Sequence, residues 1–332
     1  MLITLALAAA IGGCPNDPDG SARLHANEGA TLGPKSGAKT ARTGTLVTTY
    51  ALEAEGLEGE ETTSWDLASG RFASTYSYGL VTGGSGFDGE TGWSRDLAGH
   101  TSSQRGGDKR ALGVNEAYRA ANLWWRADCG GARVESVDCE TLRVTPRGGK
   151  PFDATFSAQG ELVKLREARS WNTVTVTRYS AWRDTDAGRI AGRIEAVTND
   201  DEGTLELRTL RDASLKPALP AQAFVRPANP APPKLPGGRV SLPFRLLNNH
   251  VIVDVRVNST AARPFIVDTG GHDIITPGAA AAIGLRAEGS AVSGGSGEKT
   301  VTNGYVRVAA IEAGGAAIRD TVALNPFTSQ AR

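Results

Sequence analysis

Apolar and polar residues alternate along most of the chain, and long helical periodicities are few. Alternation of period two marks strands with one dry face and one wet face. It predicts strands over 45–52, 61–67 and 71–78, the last two joined by the short turn Ala68-Ser69-Gly70. A further short strand is predicted at 90–95, after a Gly-rich turn over 83–88. The 115–126 segment places Ala, Leu and Trp on one face and is the helix predicted in this half. Strands then follow over 141–145, 151–156, 162–167, 173–179, 190–197 and 204–210. Between Cys14 and about Thr40 the chain is small and polar, and no element is predicted.

The pattern breaks at 217–238, where Pro227-Ala-Asn-Pro-Ala-Pro-Pro-Lys-Leu-Pro-Gly-Gly238 reads as an extended linker. Prolines at that density lack the amide hydrogens a sheet needs. Alternation resumes at 241–247 and 250–257, separated by the turn Asn248-Asn249. A third strand, 263–268, runs into Thr269-Gly270-Gly271. Thr276, Pro277 and Gly284 read as the cap, first turn and end of a helix over 276–285. Strands over 290–293 and 300–308 flank Gly294-Gly295-Ser296-Gly297, and 317–324 is the last strand. The expected division is a leader at 1–20, a β domain at 40–215, a linker at 217–238 and a second β domain at 240–332.

Composition narrows the function. Lys+Arg and Asp+Glu each number 36 in 332 residues, with no dense basic cluster, which argues against a nucleic-acid partner. The four histidines are scattered, none at ligand spacing from a cysteine, so no metal or other cofactor is expected. Leu2 to Ile11 is apolar and of signal-peptide length, too short to span a bilayer. Two readings of Cys14 fit this segment. Ile11-Gly-Gly-Cys14 resembles a bacterial lipobox, in which Cys14 carries a lipid anchor; otherwise Cys14 follows an ordinary cleaved signal. Cys129 and Cys139 bracket a turn-rich stretch and are either a disulfide of an exported protein or two reduced thiols.

Two resemblances follow from particular residues. The Gly86-Phe-Asp-Gly-Glu-Thr-Gly-Trp93 turn, with the strand order ending in Tyr179-Ser-Ala-Trp-Arg-Asp-Thr-Asp186, resembles the LolA-like domains that sort outer-membrane lipoproteins. That resemblance implies an antiparallel half-barrel partly closed over a helix, able to hold an acyl chain or an apolar peptide. Phe265-Ile-Val-Asp-Thr-Gly-Gly271 closes an apolar strand and is followed by Ile274-Ile275, an Ala-rich helix and Gly284-Leu285. This order resembles the retropepsin-like aspartic proteases, which implies a mostly β chain ending in a small β-barrel.

In that family Asp268 is the catalytic carboxylate, Thr269 locks the partner loop, and Gly270 and Gly271 let backbones approach. Gly294, Gly295, Ser296 and Gly297 stand where the family has a flap over the substrate. Two carboxylates must share one proton, yet Asp-Thr-Gly occurs once, so the resemblance implies a homodimer acting on peptide or protein substrates. Measured against the family's order, the second domain stops short. The apolar-apolar-Gly segment and closing strands expected after Leu324 are missing. The rival reading is an exported envelope protein that binds lipid or lipoprotein and carries an inactive protease-like domain.

Overall fold

The computed structural model describes residues 14–32, 43–170, 173–199, 205–230, 235–268, 273–294 and 300–327. The first element is a helix, α1 (Ser21–Leu32). A meander follows: β1 (Thr45–Ala54), β2 (Leu57–Asp66), β3 (Phe72–Tyr78), β4 (Val81–Phe87), β5 (Gly92–Arg95) and β6 (Thr101–Gln104). The chain then passes through α2 (Gly107–Ala120) and two 3-10 turns, Leu123–Trp125 and Cys129–Gly131. A second meander runs through β7 (Arg133–Ser136), β8 (Thr141–Thr145), β9 (Phe152–Phe156), β10 (Leu162–Ala168) and β11 (Val174–Ser180). After the small hairpin β12 (Arg183–Thr185) and β13 (Gly188–Ile190), β14 (Arg193–Thr198) and β15 (Leu205–Lys216) complete it.

All these strands except β12 and β13 form one thirteen-stranded antiparallel sheet. Its order is β6-β5-β4-β3-β2-β1-β15-β14-β11-β10-β9-β8-β7. The first meander grows outward from β1, and the second grows inward from β7. They meet where β1 pairs with β15 along its whole length, from Thr45↔Lys216 to Ala54↔Glu206. The helices cover one face of this sheet. Tyr118, Trp124, Leu142, Val144, Phe152, Phe156 and Leu165 form the larger core, joined by Leu24 of α1. Ala117 and Val114 of α2 pack on Phe72, Phe87 and Trp65 of the first meander. The antiparallel mostly β architecture and its helix cover agree with the sequence reading.

Several expectations are corrected. The 83–88 stretch is largely strand, not turn, because its glycines let aromatic rings lie across the backbone. A Cβ on Gly83 would come within 2.3 Å of the Tyr76 hydroxyl oxygen, and one on Gly86 within 2.5 Å of the Trp93 ring. The helix expected over 115–126 starts earlier, at Gly107, and stops at Ala120, not Arg126. Asn122 takes a left-handed turn (φ 47°) that sends Trp124 into the core. Part of the Pro-rich linker is also anchored. Phe224 is fully buried, its carbonyl accepts the Trp93 indole N–H at 2.9 Å, and the Pro227 carbonyl accepts the Thr101 hydroxyl at 2.7 Å.

Residues 14–32, in the segment expected to be leader and structureless chain, are built into the fold. Cys14 is disulfide-bonded to Cys139, 125 residues away, and Cys129 is a free thiol. This replaces both the Cys129–Cys139 pairing and the lipid on Cys14, because the Cys14 sulfur is already committed. The arrangement follows from α1. Arg23 donates to the carbonyls of Asp138 and Thr141 and to the Ser136 hydroxyl, which holds the helix against the β7–β8 turn where Cys139 sits. Asp17 accepts the Ala22 and Arg23 amides at the helix start.

Beyond the linker, β16 (Arg245–Leu247), β17 (His250–Val257), β18 (Arg263–Ile266), α3 (Pro277–Ala282), β19 (Glu288–Gly294), β20 (Thr300–Ala313) and β21 (Ala316–Phe327) form the second unit. Its six strands join as β16-β17-β20-β19, with β18 on β17 and β21 on β20. Asn248 and Asn249 both have positive φ, as a two-residue hairpin turn requires. Val257, Ile275, Ala280, Val306, Val308 and Ala323 make its core.

Linking residues 14 and 139 removes much freedom from the unfolded chain. Cys14→Ser should therefore lower stability to urea by about 2–4 kcal/mol, while Cys129→Ser should cost under about 1 kcal/mol. Peptide mapping without reductant should recover a Cys14–Cys139 cross-link; a Cys129–Cys139 cross-link would contradict the structure.

Candidate active site

Asp268 stands at the end of the apolar strand β18. β18 pairs antiparallel with β17 from Ile252↔Ile266 to Val255↔Arg263, and the Val267 amide donates to the Val251 carbonyl at 2.9 Å. Asp268 then leaves the sheet and is exposed. Thr269, Gly270 and Gly271 lie outside the described residues. The chain is caught again at Asp273, whose carbonyl accepts the Leu324 amide at 2.8 Å. The Ile275 amide returns the contact to the Leu324 carbonyl at 2.8 Å, and the Asn325 side chain donates to the Ile275 carbonyl at 2.8 Å.

Ile275 is buried, and Thr276 next to it caps α3 by accepting the Ala279 amide. The loop carrying Asp268 is thus held on both sides, by β17 before it and by β21 after it. Ile266, Val267 and Ile274 around it are exposed apolar side chains, as are Leu246, Leu247 and Val251 on the neighbouring hairpin. Gly294 ends β19 opposite Thr300 at the start of β20. Gly295, Ser296 and Gly297 lie outside the described residues.

Residues 253–326 match the family model for aspartyl proteases. The aspartyl protease-like segment therefore runs from within β17 almost to the end of β21 and contains Asp268. No curated protein matches the chain. Among solved structures, a LolA superfamily protein of Nitrosomonas europaea is similar at 13% identity and a TM-score of 0.41. The match covers 62% of this chain and 97% of that one. A DUF1329 family protein of Desulfovibrio piger is similar at 11% identity and a TM-score of 0.34, covering 63% and 98%.

A second polar centre, absent from the sequence reading, lies under α2 on the helix-covered face of the large sheet. Glu167 is buried and accepts from Asn115 at 2.7 Å, Arg119 at 3.0 Å and Arg169 at 3.1 Å. Burial pushes its carboxyl up, but the two arginines and Asn115 overcome that and hold it below the usual range. On the other side of α2, Arg208 is paired with Glu61 and with Glu206 at 3.0 Å. Burial pushes the Glu116 carboxyl up to about 7; Arg119 and Arg169 pull it down, and Glu61 and Glu167 push it up. For Glu167 a signal was present, since it follows the buried Leu165 at the next inward position of β10. Among the described residues no group of three His, Cys, Asp or Glu is placed to hold a metal.

The Glu116 shift has a definite sign. Its folded pKa lies above the unfolded value near 4.5, so its contribution is complete below pH 4.5 and is lost as pH rises through 7. Glu116→Gln should therefore stabilise the protein at pH 8 by on the order of 1 kcal/mol or more and do little at pH 4. Urea unfolding of both proteins at the two pH values checks it; equal effects at both would refute the assignment.

Proposed function

We propose that the chain is an exported aspartic endopeptidase, with Asp268 as the reacting carboxylate. The observation that carries this reading is Asp268 itself, at the exposed end of an apolar strand inside a segment that matches aspartyl proteases. One carboxylate cannot do the whole reaction. Peptide hydrolysis needs an ionised group to take a proton from water and a protonated one to donate to the substrate carbonyl. Asp-Thr-Gly occurs once, so the second carboxylate is Asp268 of another copy.

The exposed apolar residues around Asp268 support that arrangement, because side chains such as Leu246, Ile266 and Val267 are placed to be covered when two copies meet. Thr269 would fix the paired loops, and Gly270 and Gly271 would let them approach. Residues 294–297 would close over an extended peptide. Export is supported by the Cys14–Cys139 bond, which persists in oxidising compartments.

Cleavage of a diverse peptide library by wild type and Asp268→Asn, with solution mass read on the same samples, tests the reading. The expected result is a dimer that cuts, and a variant that remains dimeric and is slower by at least about 10²-fold. Activity should also fall at high pH, where the pair loses its shared proton. A wild type that is monomeric and silent, or an Asp268→Asn variant that cuts as well as wild type, would remove the reading.

A further inference from the structure

Among the described residues, the large sheet and the protease-like unit share a buried cluster at one end of the sheet. The turns between β1 and β2 and between β3 and β4 lie at the same end of the sheet, and both meet β19, β20 and β21. The backbone carbonyl of Glu55, in the first turn, accepts the amide of Ser290 in β19 at 2.7 Å. The Glu55 carboxylate accepts the Tyr305 hydroxyl of β20 at 2.5 Å and the Tyr78 hydroxyl at 3.3 Å.

Gly289 has φ +72°, and a Cβ there would stand 2.8 Å from Leu57 and 3.1 Å from the Glu55 carbonyl oxygen, so the contact is close along its length. Apolar side chains complete it. Val81, Ala291, Tyr305 and Leu324 are buried together, with Leu57, Tyr78, Leu80 and Leu97 packed around them.

Leu324 gives this contact a reach beyond packing. Its side chain is buried against the large sheet, while its backbone makes both hydrogen bonds that catch the chain at Asp273 and Ile275. One residue therefore joins the N-terminal sheet to the far anchor of the loop that carries Asp268. β19 and β20, held by Glu55 and Leu57, are also the strands on either side of residues 295–299.

We infer that the β1–β2 and β3–β4 turns are a built-in positioning surface for the active-site loop, with Glu55 and Leu57 as positioning residues acting through Tyr305, Ser290 and Leu324. The inference rests on the reading of Asp268 as the reacting carboxylate. It assigns the N-terminal sheet a part in the protease unit: without that contact, the anchor after Asp268 has lost the surface that fixes Leu324.

Amide hydrogen exchange on the full chain tests this without relying on turnover. The variants are Leu57→Asp, which opens the contact, and the milder Glu55→Gln and Tyr305→Phe, which keep shape and remove single hydrogen bonds. The expected result is about tenfold faster exchange at Ser290, Ile275 and Leu324 in Leu57→Asp, and a smaller rise in the other two. Exchange at Val144 and Phe156, in the distant core, should stay as in wild type. Unchanged exchange at Ile275 and Leu324, or an equal rise at Val144 and Phe156, would overturn the inference. Where wild type cleaves peptide, Leu57→Asp should lower kcat severalfold; an unchanged kcat would also overturn it. If wild type does not cleave, the protease reading falls, and the exchange pattern still decides the mechanical link.

Discussion

The pairing of β1 with β15 organises this molecule. Two strands about 150 residues apart lie side by side for ten residues, with one irregularity between Thr49 and Tyr50. Each belongs to a meander whose own contacts are local, so neither meander fixes the position of the other. Once the pair forms, the sheet becomes a single surface and α2 can lie across the junction, touching Phe72 and Phe87 on one side and Trp124 and Phe152 on the other. The same pairing orients both exits. β15 ends at Lys216 and releases the chain toward the linker, while β1 ends in the Glu55 turn that reaches the second unit. Closing so long a loop is entropically costly and makes this a slow-forming topology.

The charged centre under α2 belongs to the same constraint. Arg208 of β15 and Glu61 of β2 flank β1, and their ion pair crosses above it. Arg119 and Glu167 form a matching pair on the other side, with the arginine stacked 4.9 Å over Phe152. Buried ion pairs of this kind add little net stability, because the cost of taking both charges out of water offsets much of their attraction. Glu167 ties Asn115 and Arg119 of α2 to β10.

Much of the strand pattern was legible because alternation reports directly on a half-buried sheet. Thr276, Pro277 and Gly284 marked α3 through capping chemistry that is local in sequence. The position of Asp268 at a strand end was equally local. The rest was decided at a distance. Nothing near Ser21 announces α1, which stays in place because Arg23, Leu24 and Asn27 reach residues more than a hundred positions away. Cysteine spacing favoured the near pair, yet the bond joins Cys14 to Cys139 because α1 brings Cys14 to that turn. The glycines of 83–86 looked like a turn because their role belongs to the rings of Tyr76 and Trp93 on adjoining strands. The Glu55–Tyr305 contact spans 250 residues and has no signature in either neighbourhood.

The ends of the large sheet carry a further consequence. An open sheet leaves unpaired amides and carbonyls along its outermost strands, and these recruit other chains. Here β6 and β7 are each four residues long. The Thr101 amide at the start of β6 is taken by the Asn229 side chain, and Arg226 holds the Thr101 carbonyl. At the opposite margin the Cys14 amide donates to the Ser136 hydroxyl at the end of β7. The two peripheral segments, one before the sheet and one after it, therefore act as selvedges: they finish a wide fabric so that it does not unravel into its neighbours. The disulfide to Cys139 ties the first of these segments covalently to the margin it covers.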